Sequence, residues 1–373
     1  MSTEDSYSQS TDFSRSTSQA SPSAARTAKS VTPSPRWTEP SGTYPESLEE
    51  EEYLPPPVPG RWTPILVLSI IAATVGSSFQ FGWNIGVINV PAQKVKDWIN
   101  GSHQHLFNGY ILDKTEMKYI WTWIVASFIV GGFFGSMFSS IIADALGRKK
   151  AMLINNLFAL SAAFSFAISK ECRVYFVLFW ARLVIGFNAG INAALPPLYF
   201  TEIAPDNLRG AVASMHQLMI TVSILLSMII GHSKLMGTDM LWPYLFAFVG
   251  VPALIQLLIL PCCPESPKHL LIHRKDRREA RLALTQLRDS QDVDEELFRI
   301  EKAAQKQELM PKIKLSSMVR YPYLAPLFVS SMMMVMQQLS GINAAIFYSG
   351  EIYKGAGLEG EQIEYASIGT VSK

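Results

Sequence analysis

Six apolar blocks of about 20 residues each, parted by short polar loops, constrain this chain more than anything else in it. They run Ile65–Val90, Tyr119–Ala143, Ala151–Ser169, Val174–Leu198, Ala211–Gly231 and Leu241–Cys262. A seventh covers Tyr323–Tyr348. An eighth begins near Ile363, and the stretch from there to Lys373 is too short to cross a bilayer. In hydrocarbon a segment must satisfy its own backbone N–H and C=O groups, which selects helices. The blocks therefore predict an all-α, polytopic membrane protein. Charged residues make up only 17% of the chain and the net charge is +1, which excludes a polybasic nucleic-acid binder; no nucleic-acid partner is expected. Three cysteines cannot build a disulfide scaffold.

Four regions follow. Residues 1–60 are polar, rich in Ser, Thr, Pro and Glu, and predict a disordered cytoplasmic tail. Thr32-Pro33 and Ser34-Pro35 in it read as phosphorylation sites or simply as linker. Residues 61–263 predict a six-helix transmembrane bundle. Residues 264–320 predict a cytoplasmic linker with short amphipathic helices at Glu279–Leu284 and Glu295–Gln307. Residues 321–373 hold helix seven and the start of helix eight.

Basic residues set the expected orientation. Arg148, Lys149 and Lys150 lie between blocks two and three, Arg209 between four and five, and Lys268 to Arg281 after six, which puts these loops and the N-terminus in the cytoplasm. Asn100-Gly101-Ser102 is an N-glycosylation sequon in a loop expected on the opposite, extracellular side.

Polar side chains inside the blocks are costly in lipid and face a partner or an aqueous cavity. Gln80 and Asn84 stand in block one, Arg182 in four, His216 and Gln217 in five, and Gln337, Gln338, Ser340 and Asn343 in seven. Amides donate and accept toward adjacent hydroxyls, and rings such as Trp83, Phe347 and Tyr348 pack on a pyranose face, so the set favours a neutral, polyhydroxylated substrate. The competing reading for each amide is a bond between neighbouring helices. Gly341 beside Ser340 predicts a locally broken helix seven. Ser127, Gly131 and Gly135, then Gly186 and Gly190, recur four apart and predict close helix crossings. At the cytoplasmic ends the acids Asp144, Glu202 and Glu265 accompany the bases, and ion pairs among them would hold one conformation closed. No nucleotide loop, metal-ligand spacing or nucleophile triad is present, so neither an enzyme nor a cofactor or metal site is expected.

The motifs FGWNIGVINVPAQ, Asp144–Lys150, RLVIGFNAGIN, PLYFTEIAPDNLRGAVASMHQL, PESPKHLLI and QQLSGINAAIFYS, in that order, resemble the animal facilitative glucose transporters, in the sugar porter branch of the major facilitator superfamily. The resemblance covers about residues 60–373. It implies the major facilitator fold: two six-helix bundles, a cytoplasmic helical linker, and a sugar site midway between bundles that alternates its access. Carried over by motif, the sugar contacts are Gln217, Ile224, Gln337, Gln338 and Asn343. The gating salt-bridge network is Asp144, Arg148, Glu202, Arg209 and Glu265, with Arg182 as a further member, and Phe347-Tyr348 is the extracellular gate. Proton-coupled members carry Asp where this chain has Asn84, so a uniporter is implied. Gln338-Leu339-Ser340 resembles the signature for glucose over fructose.

The expected partners are thus a hexose, D-glucose first, and the lipid bilayer at the plasma membrane, with a homo-oligomer left open. Helices nine to twelve of the implied fold have no counterpart here, so a fragment or truncated form is expected. The alternatives are a non-transporting form that regulates or pairs with a full-length transporter, and a proton-coupled symporter.

Overall fold

The computed structural model describes residues 60–309 and 323–372. The tail expected over residues 1–60 lies outside them but for Gly60, and so do residues 310–322 of the expected linker and of the start of helix seven. The described elements are helical throughout. They are α1 (Pro64–Gly86), α2 (Ala92–Leu106), α3 (Lys114–Leu146), α4 (Arg148–Cys172), α5 (Tyr175–Ile203), α6 (Arg209–Ile230), α7 (Trp242–Cys262), α8 (Pro267–Ile272), α9 (Arg277–Arg288), α10 (Asp294–Leu309), α11 (Leu324–Leu339), α12 (Ile342–Gly355) and α13 (Glu361–Ser372). Among the described residues, six helices are long and apolar enough to cross a membrane: α1 and α3 to α7.

Local chemistry sets the helix ends. Thr63 caps α1, accepting from the Leu66 N–H, and Pro64 takes the first turn, where its missing N–H costs nothing. Asp113 and Glu116 form a reciprocal capping box at the start of α3. Between α3 and α4 the chain turns at Gly147 with φ 93°, a left-handed conformation that favours glycine. Ser266 caps α8 and Asp276 caps α9.

The bundle packs backbone against backbone where α3 crosses α5. The glycine rows predicted a close crossing, and a Cβ on Gly131 would meet the backbone of Leu183 and Phe187. One on Gly186 would meet the backbone of Phe128, and one on Gly190 that of Gly132 and Ser136. Large apolar side chains such as Ile129, Phe133, Phe164, Trp180 and Leu258 point outward, as a lipid-facing surface requires.

For Gln80 of block one the inter-helix reading wins. Gln80 is fully buried and donates to Asn156 of α4 at 2.9 Å; Asn156 donates to Gln256 of α7 at 2.8 Å; Gln256 donates to Ser77 at 2.9 Å. This chain of bonds ties α1, α4 and α7 together. Asn84, also buried, donates back to the Gln80 carbonyl at 2.8 Å. A second knot joins α4 and α5 through Asn155, Asn188 and Asn192. In the middle of α1, Thr74–Ser78 widens into a π turn, where Ser78 Oγ lies 2.7 Å from Nδ1 of His216 on α6.

The linker helices α9 and α10 carry mixed charge, as their sequence foretold. Leu270, Ala280, Ala283, Leu284, Val293 and Leu297 form their own small core. Arg288 holds both Glu296, at 2.6 Å, and the Ile203 carbonyl that ends α5, at 2.8 Å. The Thr63 hydroxyl donates to the Leu287 carbonyl at 2.7 Å. The linker is thus fastened to one end of the bundle, called here the linker end.

Candidate functional site

Helix seven is not continuous. It divides into α11 and α12 at Gly341, whose φ of 75° is left-handed. The break predicted from Ser340-Gly341 is therefore where the glycine allows it. Across the break Asn343 Nδ2 donates to Gln338 Oε1 at 2.8 Å, and Ser340 Oγ donates to the Gln337 carbonyl at 2.6 Å. Gln337 and Gln338 are exposed.

Three residues beyond Asn343, and so on the same helix face, Ile346 packs in a cluster with Ile220, Ile224 and Met228 of α6. Ile368 and Val371 of α13, Phe81 and Ile85 of α1, and Val90 after it pack against the same cluster. Gln217 is exposed two turns before Ile224, on the same face of α6 and about 10 Å along it. Of the five expected sugar contacts, Gln338 and Asn343 are bonded, and Ile224 meets the same helix as Asn343. Phe347 and Tyr348 are half-buried against the core built by Trp83, Trp121 and Trp242, at the end away from the linker.

The expected salt-bridge network gathers only in part. Arg148 is its centre. Its Nε lies 2.8 Å from Glu202 Oε2 and its Nη2 donates to Oε1 at 2.9 Å, a two-point pair with side chains 7% and 4% exposed. Asp144 stands 3.5 Å from Nη1 of the same arginine. Glu202 Oε2 also accepts from the Ser266 hydroxyl at 2.5 Å. Glu265 joins differently: its Oε1 accepts from the backbone N–H groups of Lys149 and Ser266, each at 3.0 Å, so it caps the start of α4. Arg209 lies apart, paired at the surface with Asp206 at 2.6 Å. Arg182 is further still. Twenty residues of α5, about 30 Å of helix, separate it from Glu202. There it is fully buried, donates to the Asn84 carbonyl at 3.1 Å and sits 4.6 Å from the Phe128 ring centroid.

Three participants had no role of their own in the sequence reading. Ser266 and His269, in the PESPKHLLI stretch, close the cluster, since Arg148 Nη1 lies 2.8 Å from His269 Nδ1. Lys149 donates to the carbonyls of Pro261 and Cys263, each at 2.7 Å, and so covers the end of α7. Nothing in the sequence pattern distinguishes these from other polar residues at a helix end. Because an arginine only donates, Nδ1 of His269 accepts and the ring is neutral. Burial first, then the Arg148 guanidinium, pushes its pKa from 6.5 down to about 4. The unfolded chain therefore binds a proton between those values that the folded chain refuses. Stability is expected to fall as pH drops from 6.5 toward 4, by at most about 1.4 kcal/mol per pH unit. Melting curves of detergent-purified protein across that range check this, with His269→Gln flattening the slope.

The sequon sits within α2 rather than in a loop. Asn100 is half-buried and its Oδ1 accepts from the Leu112 N–H at 3.3 Å. The buried Ser102 hydroxyl donates to the Arg173 carbonyl at 2.7 Å.

The chain is similar to known proteins in sequence and in fold. A profile of the family described as "Sugar (and other) transporter" matches residues 69–372. Facilitated glucose transporter protein 1 of Caenorhabditis elegans is 43% identical over 310 residues, 83% of this chain and 60% of that protein. The horse (Equus caballus) solute carrier family 2, facilitated glucose transporter member 5, is 38% identical over 312 residues, 83% of this chain and 62% of that one. The chain thus spans about 60% of the length of these curated relatives. Among solved structures, that of the major facilitator superfamily proton:xylose symporter XylE bound to 6-bromo-6-deoxy-D-glucose matches with a TM-score of 0.70 at 20% identity, over 83% of this chain and 66% of that one. A partially occluded inward-open conformation of XylE from E. coli matches with a TM-score of 0.66 at 20% identity, over 82% and 67%. The chain belongs to the sugar transporter family, as an all-α, multi-pass membrane protein with the major facilitator fold.

Proposed function

We propose that this chain forms one wall and the first helices of the facing wall of a facilitative transporter for glucose or a related hexose. It would sit in the plasma membrane with its N-terminus in the cytoplasm and alternate the access of its sugar site. The observation that carries the reading is the break at Gly341, beside which Gln337 and Gln338 stand exposed and Asn343 bonds Gln338, one turn from Ile346, which packs against the cluster that holds Ile224. Amides presented next to an apolar wall suit the hydroxyls and the C–H faces of a hexose. Curated relatives named facilitated glucose transporters support the substrate class.

Two further observations bear on mechanism. Asn84 cannot carry a proton, which favours uniport. Helices α12 and α13 meet the bundle at the end away from the linker, whereas α11 buries no residue. That geometry suits a path closed outside and open to the linker end.

The test is uptake of radiolabelled D-glucose by transporter-null cells expressing the chain, with L-glucose as control and surface expression measured. Saturable, stereospecific uptake that survives a protonophore is the expected result. Gln217→Ala should then raise KM about tenfold, the loss of roughly one or two hydrogen bonds to sugar hydroxyls. Uptake that collapses with the proton gradient would instead make the protein a symporter. The bare surface of α11 favours one other reading, a non-transporting form that pairs with a longer transporter. Absent uptake at normal surface expression would favour that one.

A further inference from the structure

At the end away from the linker, α12 and α13 are joined to the bundle by charge. Glu351 of α12 lies 2.5 Å from Lys96 of α2, and the Lys96 ammonium is also 5.1 Å from the Trp121 ring centroid. Glu361 of α13 lies 2.6 Å from Lys234, in the loop between α6 and α7. Glu364, one turn on, accepts from the N–H and the hydroxyl of Ser233, both at 2.9 Å, with His232 Nε2 at 3.3 Å. Asn89 hydrogen-bonds Ser349 beside them. In each ion pair the acid comes from α12 or α13 and the base from the bundle. The partners are 127 to 255 residues apart in sequence. Their mutual hydrogen bond holds the Glu361 carboxyl below its ordinary range and the Lys234 amine above its own.

A surface pair that only stabilises a rigid fold is worth little, because water and salt screen it. These pairs sit differently. They bridge two bodies that touch at this end, and the helix seven break at Gly341 lets α12 move without α11. Their small, breakable energies suit a contact that must form and release repeatedly.

We propose that Lys96–Glu351, Lys234–Glu361 and the grip of Ser233 and His232 on Glu364 form a three-point electrostatic latch that closes the outer end of the substrate path and opens with it. The inference rests on the alternating-access reading above. The latch acts on the equilibrium between closed and open, without touching the sugar. Each exposed pair shifts that equilibrium a few-fold, and reversing two of them shifts it on the order of tenfold.

The test reads opening directly. Val90 lines the cavity of about 550 Å³ beside the latch, with Asn89, Lys96, Phe347, Glu351 and Glu364. Val90→Cys, on a background of Cys172→Ser and Cys262→Ser, is labelled in the full chain in lipid nanodiscs with a charged maleimide, and the rate is corrected for the same background without Val90→Cys. Adding Glu351→Lys and Glu361→Lys should speed labelling about tenfold, and adding Lys96→Glu and Lys234→Glu to that variant should return the rate toward the start. Raising salt from about 0.05 to 0.5 M should speed labelling with the latch intact and not with it reversed. Labelling that ignores the reversals, or reversals that the swap does not rescue, would overturn the latch. If the reversed chain does not fold, as labelling of buried Cys263 would show, the salt response of the intact latch decides alone. Uptake is not part of the readout, so a failure of the transport reading leaves this result standing.

Discussion

Gly186→Val is expected to keep the bundle from folding, and so to cut the amount of folded protein that an expressing cell yields. Gly186 faces the backbone of Phe128 across the α3–α5 crossing, so an added side chain meets main-chain atoms that no rotamer change can move. The helices must separate instead. In a membrane the hydrophobic effect does not push helices back together; association rests on packing between small residues. Separation at Gly186 also loosens Gly190 against Gly132, Gly131 against Leu183 and Gly135 against Phe187, because the four contacts form one stripe. The cost should exceed about 3 kcal/mol, the upper end for overpacking a core. Gly101→Ala is the control. Gly101 lies in α2 with nothing near its Cβ position, and the change keeps the sequon, so it should be neutral or slightly stabilising. Fluorescence size-exclusion profiles and surface biotinylation of the two variants measure the difference. A Gly186→Val protein that runs as a sharp peak and reaches the surface normally would show that the crossing tolerates wider spacing.

The spans, the close crossing and the helix seven break could be read in the sequence for a common reason. Each depends on a residue type acting locally or on a rule imposed by the solvent. Hydrocarbon demands helices of a set length, glycine rows permit approach, and Gly341 supplies a left-handed turn. Where the reading fell short, the missing information was direction. Arg209 and Glu265 stand at helix ends beside Arg148 and Glu202 in any linear view. Yet Arg209 turns to Asp206, and Glu265 turns to the N–H groups that open α4. Arg182 shares a helix with Glu202 but lies several turns away. Gln80 looks like a substrate contact until α4 and α7 are placed around it, and Asn84 until its amide is seen to bond within α1. The acids Glu351, Glu361 and Glu364 carry no motif, and their partners appear only once α12 and α13 are docked.

Glu202→Ala is expected to destabilise the linker end by about 3 kcal/mol, because it takes from a buried guanidinium its nearest counter-ion and leaves it only the more distant Asp144. Arg148 has few other partners to turn to. Asp144 is 3.5 Å away and half-exposed, and His269 offers one neutral nitrogen. Ser266 loses its acceptor in the same step, so the cap of α8 loosens with it. Arg148→Ala alone should cost less, since the orphaned Glu202 keeps the Ser266 hydroxyl as a donor. Removing both charges with Arg148→Met and Glu202→Leu should recover most of the loss, because apolar side chains of similar volume need no compensation in a buried site. A double-mutant cycle closed with Arg148→Met, Glu202→Leu and the two together, read from thermal unfolding in detergent, then separates the pair's coupling from the cost of an unpaired charge. Additive single and double variants would show that Arg148 and Glu202 are adjacent without being coupled. A recovered double variant would show instead that this end of the bundle can be built without charge. The two-point geometry of Arg148 on Glu202 would then serve conformational change in the transport cycle and not stability. Uptake by the recovered variant distinguishes those roles, because a pair kept for stability leaves uptake intact when replaced, whereas a pair kept for switching does not.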